Sequence, residues 1–206
     1  MSSLTRIWLA RHGEVEEAYH QVFGGSLDMD LSPLGLRQAA QLAEDWGNRK
    51  LDAVYTSPLM RARKTAQPIS QQFGLVPEVL EDLRELDFGA WTGHHWHQVQ
   101  EKFGVNAFDW LRELEQDRVA GAEPSSRFQE RVGRALDQVA ASHPGGQVLL
   151  VCHGGVIRVA LASILRAPLS HLSGLEIEYG SLTLIVRTAT RSVIELVNHT
   201  PWRTWP

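Results

Sequence analysis

The chain has little cysteine, no surplus of positive charge and no long apolar run, and each lack excludes something. Cys152 is the one cysteine among 206 residues, so an internal disulfide is impossible. Such a chain suits a reducing compartment, and a cytoplasmic location is expected. Cys152 stands inside an apolar run, which marks a packed small hydrophobe and not a reactive thiol. There are 20 Lys and Arg against 24 Asp and Glu, for a net charge of −4. That balance argues against bulk nucleic-acid binding, though a locally positive pocket can still take a small anion. No stretch approaches the length of a membrane span, and residues 1–6 carry no secretory apolar segment. Internal repeats and low-complexity tracts are absent, and nothing in the sequence fixes an oligomeric state. With 43% hydrophobic and 21% charged residues, the chain reads as a single folded domain over 1–206.

What is present is an alternation of strand and helix signals. The apolar run Ile7 to Ala10 is a buried strand, followed by the glycine-bearing loop Phe23-Gly24-Gly25-Ser26. Ser32-Pro33 reads as an N-cap with proline in the first helical turn, and Leu36, Ala39, Ala43 and Trp46 repeat at helical spacing up to Gly47. After a strand at 52–56, Ser57-Pro58 reads as a second capped helix start, with Leu59, Ala62, Ala66, Ile69 and Phe73 as its stripe. A short strand is expected around 76–80. The section 81–124 is irregular and rich in Trp, Phe and His, with helical hints at Trp96-Val99-Phe103 and Phe108-Leu111-Leu114. A long amphipathic helix from Ser126, a strand at 147–152, a helix from Gly154 to near Arg166 and strands near 182–187 and 193–197 follow. The tail from Asn198 to Pro206 reads as irregular. This order predicts an α/β fold, a parallel or mixed sheet covered by helices on both faces, with 81–124 as a lid-like insertion over the active site.

Two strands end alike. Ile7 to Ala10 stops at Arg11-His12-Gly13-Glu14, and Val148 to Cys152 stops at His153-Gly154-Gly155. Open α/β sheets place their chemistry outside the carboxyl ends of strands. Two histidines there, one beside an arginine, suit a phosphate monoester, which is anionic and asks for positive charge, a nucleophile and a proton for the departing oxygen. Arg11 and Arg61 are candidates for the charge, because a guanidinium grips phosphate oxygens in pairs. Arg61 falls in the first turns of a helix, whose N-terminus adds positive potential. His12 is the candidate nucleophile, His153 a donor to the phosphoryl group, and Gly154 a source of a close backbone N–H. Glu85 is the candidate general acid.

These segments, taken in order, resemble the histidine phosphatase superfamily, the phosphoglycerate mutase-like family. They are Arg11-His12-Gly13-Glu14, Leu31-Ser32-Pro33-Leu34-Gly35, Ser57-Pro58-Leu59-Met60-Arg61-Ala62, the Glu85–Gly93 stretch and His153-Gly154-Gly155. The resemblance covers nearly the whole chain. It implies a three-layer α/β/α sandwich with a mostly parallel central sheet, a phosphohistidine mechanism and no metal or other cofactor. It makes His12 the phosphoacceptor, Arg11, Arg61 and His153 the phosphate clamp, and Glu85 the proton donor. Two positions depart from the family pattern: Val15 and Ala18 stand where many members carry Thr and Asn. Gly24, Trp91 and Glu123 are further candidates for the substrate pocket, although Glu123 lies between Ala122 and Pro124 and not in the family's Gly-Glu-Ser.

Adjacent histidines on one helix diverge, so His94, His95 and His97 read as lid or substrate contacts and not as a metal site. The expected function is a metal-independent phosphatase acting on a small phosphate monoester. The stretch after Glu85 looks most like the alpha-ribazole phosphatase group, and alpha-ribazole 5′-phosphate or a sugar or glycerate phosphate is the expected partner. A cofactor-dependent phosphoglycerate mutase is the alternative. Against it, Lys102 is the single formally basic residue between Glu85 and Trp110, although the three histidines could stand in as a second anionic anchor. A non-catalytic phospholigand-binding relative is the other alternative, and such a protein is expected to lose His12 or Glu85.

Overall fold

Strand β1 (Thr5–Arg11) sets the architecture of the computed structural model, which describes residues 4–188 and 190–203. Side chains alternate across a strand, and β1 is apolar on both sides: Ile7 and Leu9 join one core, Trp8 and Ala10 another. A strand buried on both faces belongs inside a covered sheet. After α1 (Pro33–Trp46), β2 (Ala53–Thr56), α2 (Met60–Phe73) and β3 (Glu78–Val79) come α3 (Trp96–Phe103), α4 (Trp110–Glu115) and α5 (Ser125–Ser142). Then follow β4 (Gln147–Cys152), α6 (Gly154–Leu165), β5 (Leu182–Arg187) and β6 (Ser192–His199). The strand order is β3-β2-β4-β1-β5-β6. Pairing is parallel from β3 through β1 and antiparallel at β1–β5 and β5–β6, so the sheet is mixed.

Leu42, Ala43 and Trp46 of α1 and Ala62, Ala66 and Ile69 of α2 cover the Trp8 face. Val132, Ala135 and Val139 of α5 and Val156, Ile157 and Ala160 of α6 cover the other, together with Leu83, Trp91, Val99 and Leu111 from 81–124. The result is an α/β/α sandwich.

Several local expectations shift. Leu36 is half exposed, because the buried face of α1 runs through Gly35, Gln38, Ala39, Leu42, Ala43 and Trp46. Ser32 does cap α1, accepting from Gly35 N at 3.0 Å. Ser57 does not cap α2, which begins at Met60 after Leu59 and whose first N–H donates to Asp28 Oδ1 at 2.7 Å. Phe108 is exposed, and α4 starts after it, burying Leu111 and Leu114. Asn198 and His199 extend β6, while Thr204, Trp205 and Pro206 lie outside the described residues.

The loop after β1 crosses the start of α1 at backbone contact distance. A Cβ on Gly13 would stand 2.5 Å from the Gly35 carbonyl oxygen, and one on Gly35 would stand 2.1 Å from the Glu14 carbonyl oxygen. Neither position has room for any side chain, which accounts for glycine in both motifs.

Candidate active site

Strands β1 and β4 are parallel neighbours with Arg11 paired to Cys152. The next residue of each strand is therefore delivered to the same place: the rings of His12 and His153 lie 5.1 Å apart. Nδ1 of His12 is 2.7 Å from the Gly13 carbonyl oxygen. A carbonyl only accepts, so Nδ1 carries the proton and Nε2 keeps a free lone pair. Burial, then the charges of Arg61 and Arg11, hold the His12 pKa well below the ordinary imidazole value. The ring is thus neutral at neutral pH, as an attacking nitrogen requires.

Arg61 is the second residue of α2 and is buried, its Nη1 donating to Leu27 O at 2.6 Å and its Nη2 to Gly25 O at 2.9 Å. Burial lowers its pKa to about 10, with Glu85 and Asp28 opposing, so it stays charged at neutral pH. Arg11 donates to Ile177 O at 2.5 Å and lies over the Tyr179 ring at 3.7 Å. Nε of Arg11, Nε of Arg61 and Nδ1 of His153 are buried with no hydrogen-bond partner. Buried guanidinium donors left unpaired are costly, so those of Arg11 and Arg61, which line one cavity, point to an anion they would meet. His153 is fully buried and neutral, its pKa lowered first by burial, and its Nε2 is 2.7 Å from Ser57 Oγ.

Glu85 sits against the start of α6. Gly155 N donates to its Oε2 at 3.1 Å and Leu86 N to its Oε1 at 3.0 Å. A Cβ on Gly155 would come 2.4 Å from Oε1. Because that clash falls on the end of a flexible side chain, Gly155→Ala should fold with a melting temperature within a few degrees of wild type yet displace the carboxylate. Loss of at least about tenfold in kcat/KM on an alkyl phosphate is expected. An unaltered rate would mean that the position of Glu85 is immaterial.

These groups border a cavity of about 440 Å³ lined by Arg11, His12, Gly24, Arg61, Glu85 and Gly154, with Phe88, Trp96, Phe108 and Trp110 as an aromatic wall. A larger groove of about 750 Å³ along α2 and β3 contains none of the candidate residues and none of the buried unpaired polar atoms. Val15 lines the smaller cavity; Ala18 does not, and Tyr19 and His20 of the same segment do.

Other expectations need correction. His153 stands beside His12, behind the residues that line the cavity, with Ser57 Oγ at its Nε2. Trp91 is a core residue, packed on Phe23 and Phe103. Glu123 faces Arg131, which donates to both its carboxylate oxygens at 2.7 and 2.8 Å. Arg131 also donates to the carbonyls of Asp82, Arg84 and Glu85 at 2.8, 2.6 and 3.3 Å. Glu123 therefore braces the segment that presents Glu85 and does not reach the pocket. His95 caps α3, His97 Nδ1 lies 2.6 Å from His95 Nδ1, and His94 packs on Phe103. None of the three lines the cavity, so they do not stand in as a second anionic anchor. Among the described residues no group of three or more His, Cys, Asp or Glu is placed to hold a metal ion. Cys152 is fully buried, and burial pushes its thiol pKa up. Tyr179, Arg131 and Arg158 are not among the sequence candidates, and Ser57 enters there only as a helix start within a motif. Only Arg158 had a usable signal, the four-residue spacing that puts it on the Gly154 face of α6.

Fold and site together define a class: an α/β/α protein that presents a neutral histidine among arginines at the carboxyl edge of its sheet. The model of the histidine phosphatase superfamily (branch 1) matches residues 7–200, and the chain belongs to that family. It is 35% identical over 171 residues to a metal-independent phosphoserine phosphatase of Arabidopsis thaliana, covering 81% of this chain and 71% of the relative. It is 27% identical over 180 residues to the adenosylcobalamin/alpha-ribazole phosphatase of Salmonella typhimurium, covering 87% and 89%. A solved mycobacterial glucosyl-3-phosphoglycerate phosphatase superposes with a TM-score of 0.85 at 27% identity, over 95% of this chain and 99% of the other. The chain is a phosphomonoester hydrolase of the histidine phosphatase type. Among the described residues no helix is long and apolar enough to cross a membrane.

Proposed function

We propose that the chain hydrolyses a small phosphomonoester through a phosphohistidine on His12, without a metal. The observation that carries this reading is the free Nε2 of a neutral His12 in the same cavity as Arg11, Arg61 and Glu85. The phosphoryl group sits on Arg11 and Arg61, with the N–H of Gly154 at close range and His153 holding its neighbour in place. Nε2 attacks phosphorus, the bond to the ester oxygen breaks, and its electron pair takes a proton from Glu85. Glu85, now a carboxylate, removes a proton from water. That oxygen bonds to phosphorus, the N–P bond breaks, and phosphate leaves with His12 restored. Charge is met throughout by guanidinium groups and the start of α6, so no cation is called for.

Phosphoserine, phosphoglycerates and alpha-ribazole 5′-phosphate are the substrates to try first. Purified protein should release phosphate from p-nitrophenyl phosphate and from at least one of these after exhaustive chelation. Loss of activity with chelator, restored by one divalent cation, would overturn the metal-independent reading. With 3-phosphoglycerate and a bisphosphoglycerate primer, free phosphate should dominate. Isomerisation faster than phosphate release by tenfold or more, about 1.4 kcal/mol in barrier, would make the protein a mutase.

A further inference from the structure

Arg158 is a cation in the cavity wall that the proposed chemistry leaves unused. It lies one turn beyond Gly154 on α6. Its Nη2 donates to Leu175 O at 2.9 Å, while its Nε is buried with no partner. No carboxylate stands within 4 Å of it among the described residues. Glu176 and Glu178 line the same cavity, but Glu178 is paired with Arg203. Arg11 is a like-charged neighbour: a Cβ on Gly154 would stand 3.1 Å from Arg158 Nη1 and 3.7 Å from Arg11 Nε. Glu176 and Glu85 are the opposite charges nearest in effect, yet neither is in ion-pair contact with Arg158, and burial and Arg11 both act against its charge. A largely desolvated guanidinium beside another cation and with no carboxylate in contact is an unfavourable arrangement that a bound anion relieves.

The phosphoryl charge already has Arg11, Arg61 and the start of α6. Glu85, the group placed to meet the departing oxygen, rests on Gly155, and Arg158 follows three residues later on the same helix face. Arg158 therefore stands where the leaving group extends, beside the Trp110 ring at 5.8 Å.

We propose that Arg158 is a specificity-determining residue whose guanidinium receives a carboxylate on the leaving group, so that the preferred substrates are phosphomonoesters of hydroxy acids. This rests on the phosphatase reading above. A fork of two N–H donors suits a carboxylate better than any neutral group, and a site built for a charged group discriminates strongly against substrates that lack it.

Two substrate pairs differ mainly by that carboxylate: phosphoserine against phosphoethanolamine, and 3-phosphoglycerate against glycerol 3-phosphate. In the wild type, kcat/KM should favour the carboxylated member of at least one pair by about 30-fold or more, chiefly through KM. Arg158→Met should shrink that ratio at least tenfold, and Arg158→Lys should restore part of it. The ratio reports discrimination, which a merely structural loss affecting both members alike does not move. A wild type that hydrolyses p-nitrophenyl phosphate but prefers the carboxylated member of neither pair overturns the inference, as does an unchanged ratio in Arg158→Met. If Arg158→Met fails to fold, the wild-type ratios and Arg158→Lys decide. A wild type inactive on all five esters overturns the phosphatase reading itself.

Discussion

Replacing His12 by alanine should abolish turnover, by at least about 10⁴-fold on every phosphomonoester, the scale on which loss of a covalent nucleophile is felt. The side chain makes one hydrogen bond, to the adjacent Gly13 carbonyl, so the variant should fold with a melting temperature near that of wild type. Steady-state phosphate release beside a thermal melt checks both halves. A folded His12→Ala enzyme retaining a tenth of wild-type activity would remove His12 from the chemistry, whatever the resemblance implies.

The second large effect is expected at Glu85 and depends on the leaving group. General acid help matters most when the departing oxygen is a poor leaving group, and its loss costs about 10²–10⁴-fold. Glu85→Gln keeps an oxygen that can accept from Gly155 N, so the loop should hold its place while the transferable proton is gone. Single-turnover cleavage of an alkyl phosphate should fall by that factor, and cleavage of p-nitrophenyl phosphate, whose phenolate leaves unaided, by far less. Single-turnover rates are needed because the role proposed for Glu85 also covers attack of water in the second step, which can limit the aryl substrate. Equal losses on both substrates would make Glu85 a positioning residue. Glu14 is a poor replacement, since it accepts from Ser32 Oγ at 2.7 Å and does not line the cavity.

The sequence announced the sheet and the two histidine loops because β1 and β4 are continuous apolar runs that stop abruptly at charged or polar residues. Adjacency of His12 and His153 was not local information; it follows from the parallel register that pairs Arg11 with Cys152. Ser-Pro is a good helix start in isolation. Here the Ser57 hydroxyl is drawn to His153, and α2 starts later, with its first N–H on Asp28. Trp91 and Glu123 stand in motif-like stretches, which is what suggests the pocket for them. Which way a loop residue faces is decided by its partners, Phe23 and Phe103 for one and Arg131 for the other. Lys102 is the single basic residue between Glu85 and Trp110, yet the cavity is more basic than that segment implies, because α6 brings Arg158 to the same wall from over 70 positions downstream.

The central claim is a covalent bond between phosphorus and His12, and rapid-quench labelling measures it directly. Enzyme mixed with a phosphate-labelled ester and quenched into alkali should carry label that is alkali-stable and acid-labile, confined to the peptide containing His12 and absent from His12→Ala. Protein without label at any quench time while phosphate is being released, or label on any other residue, would contradict the account.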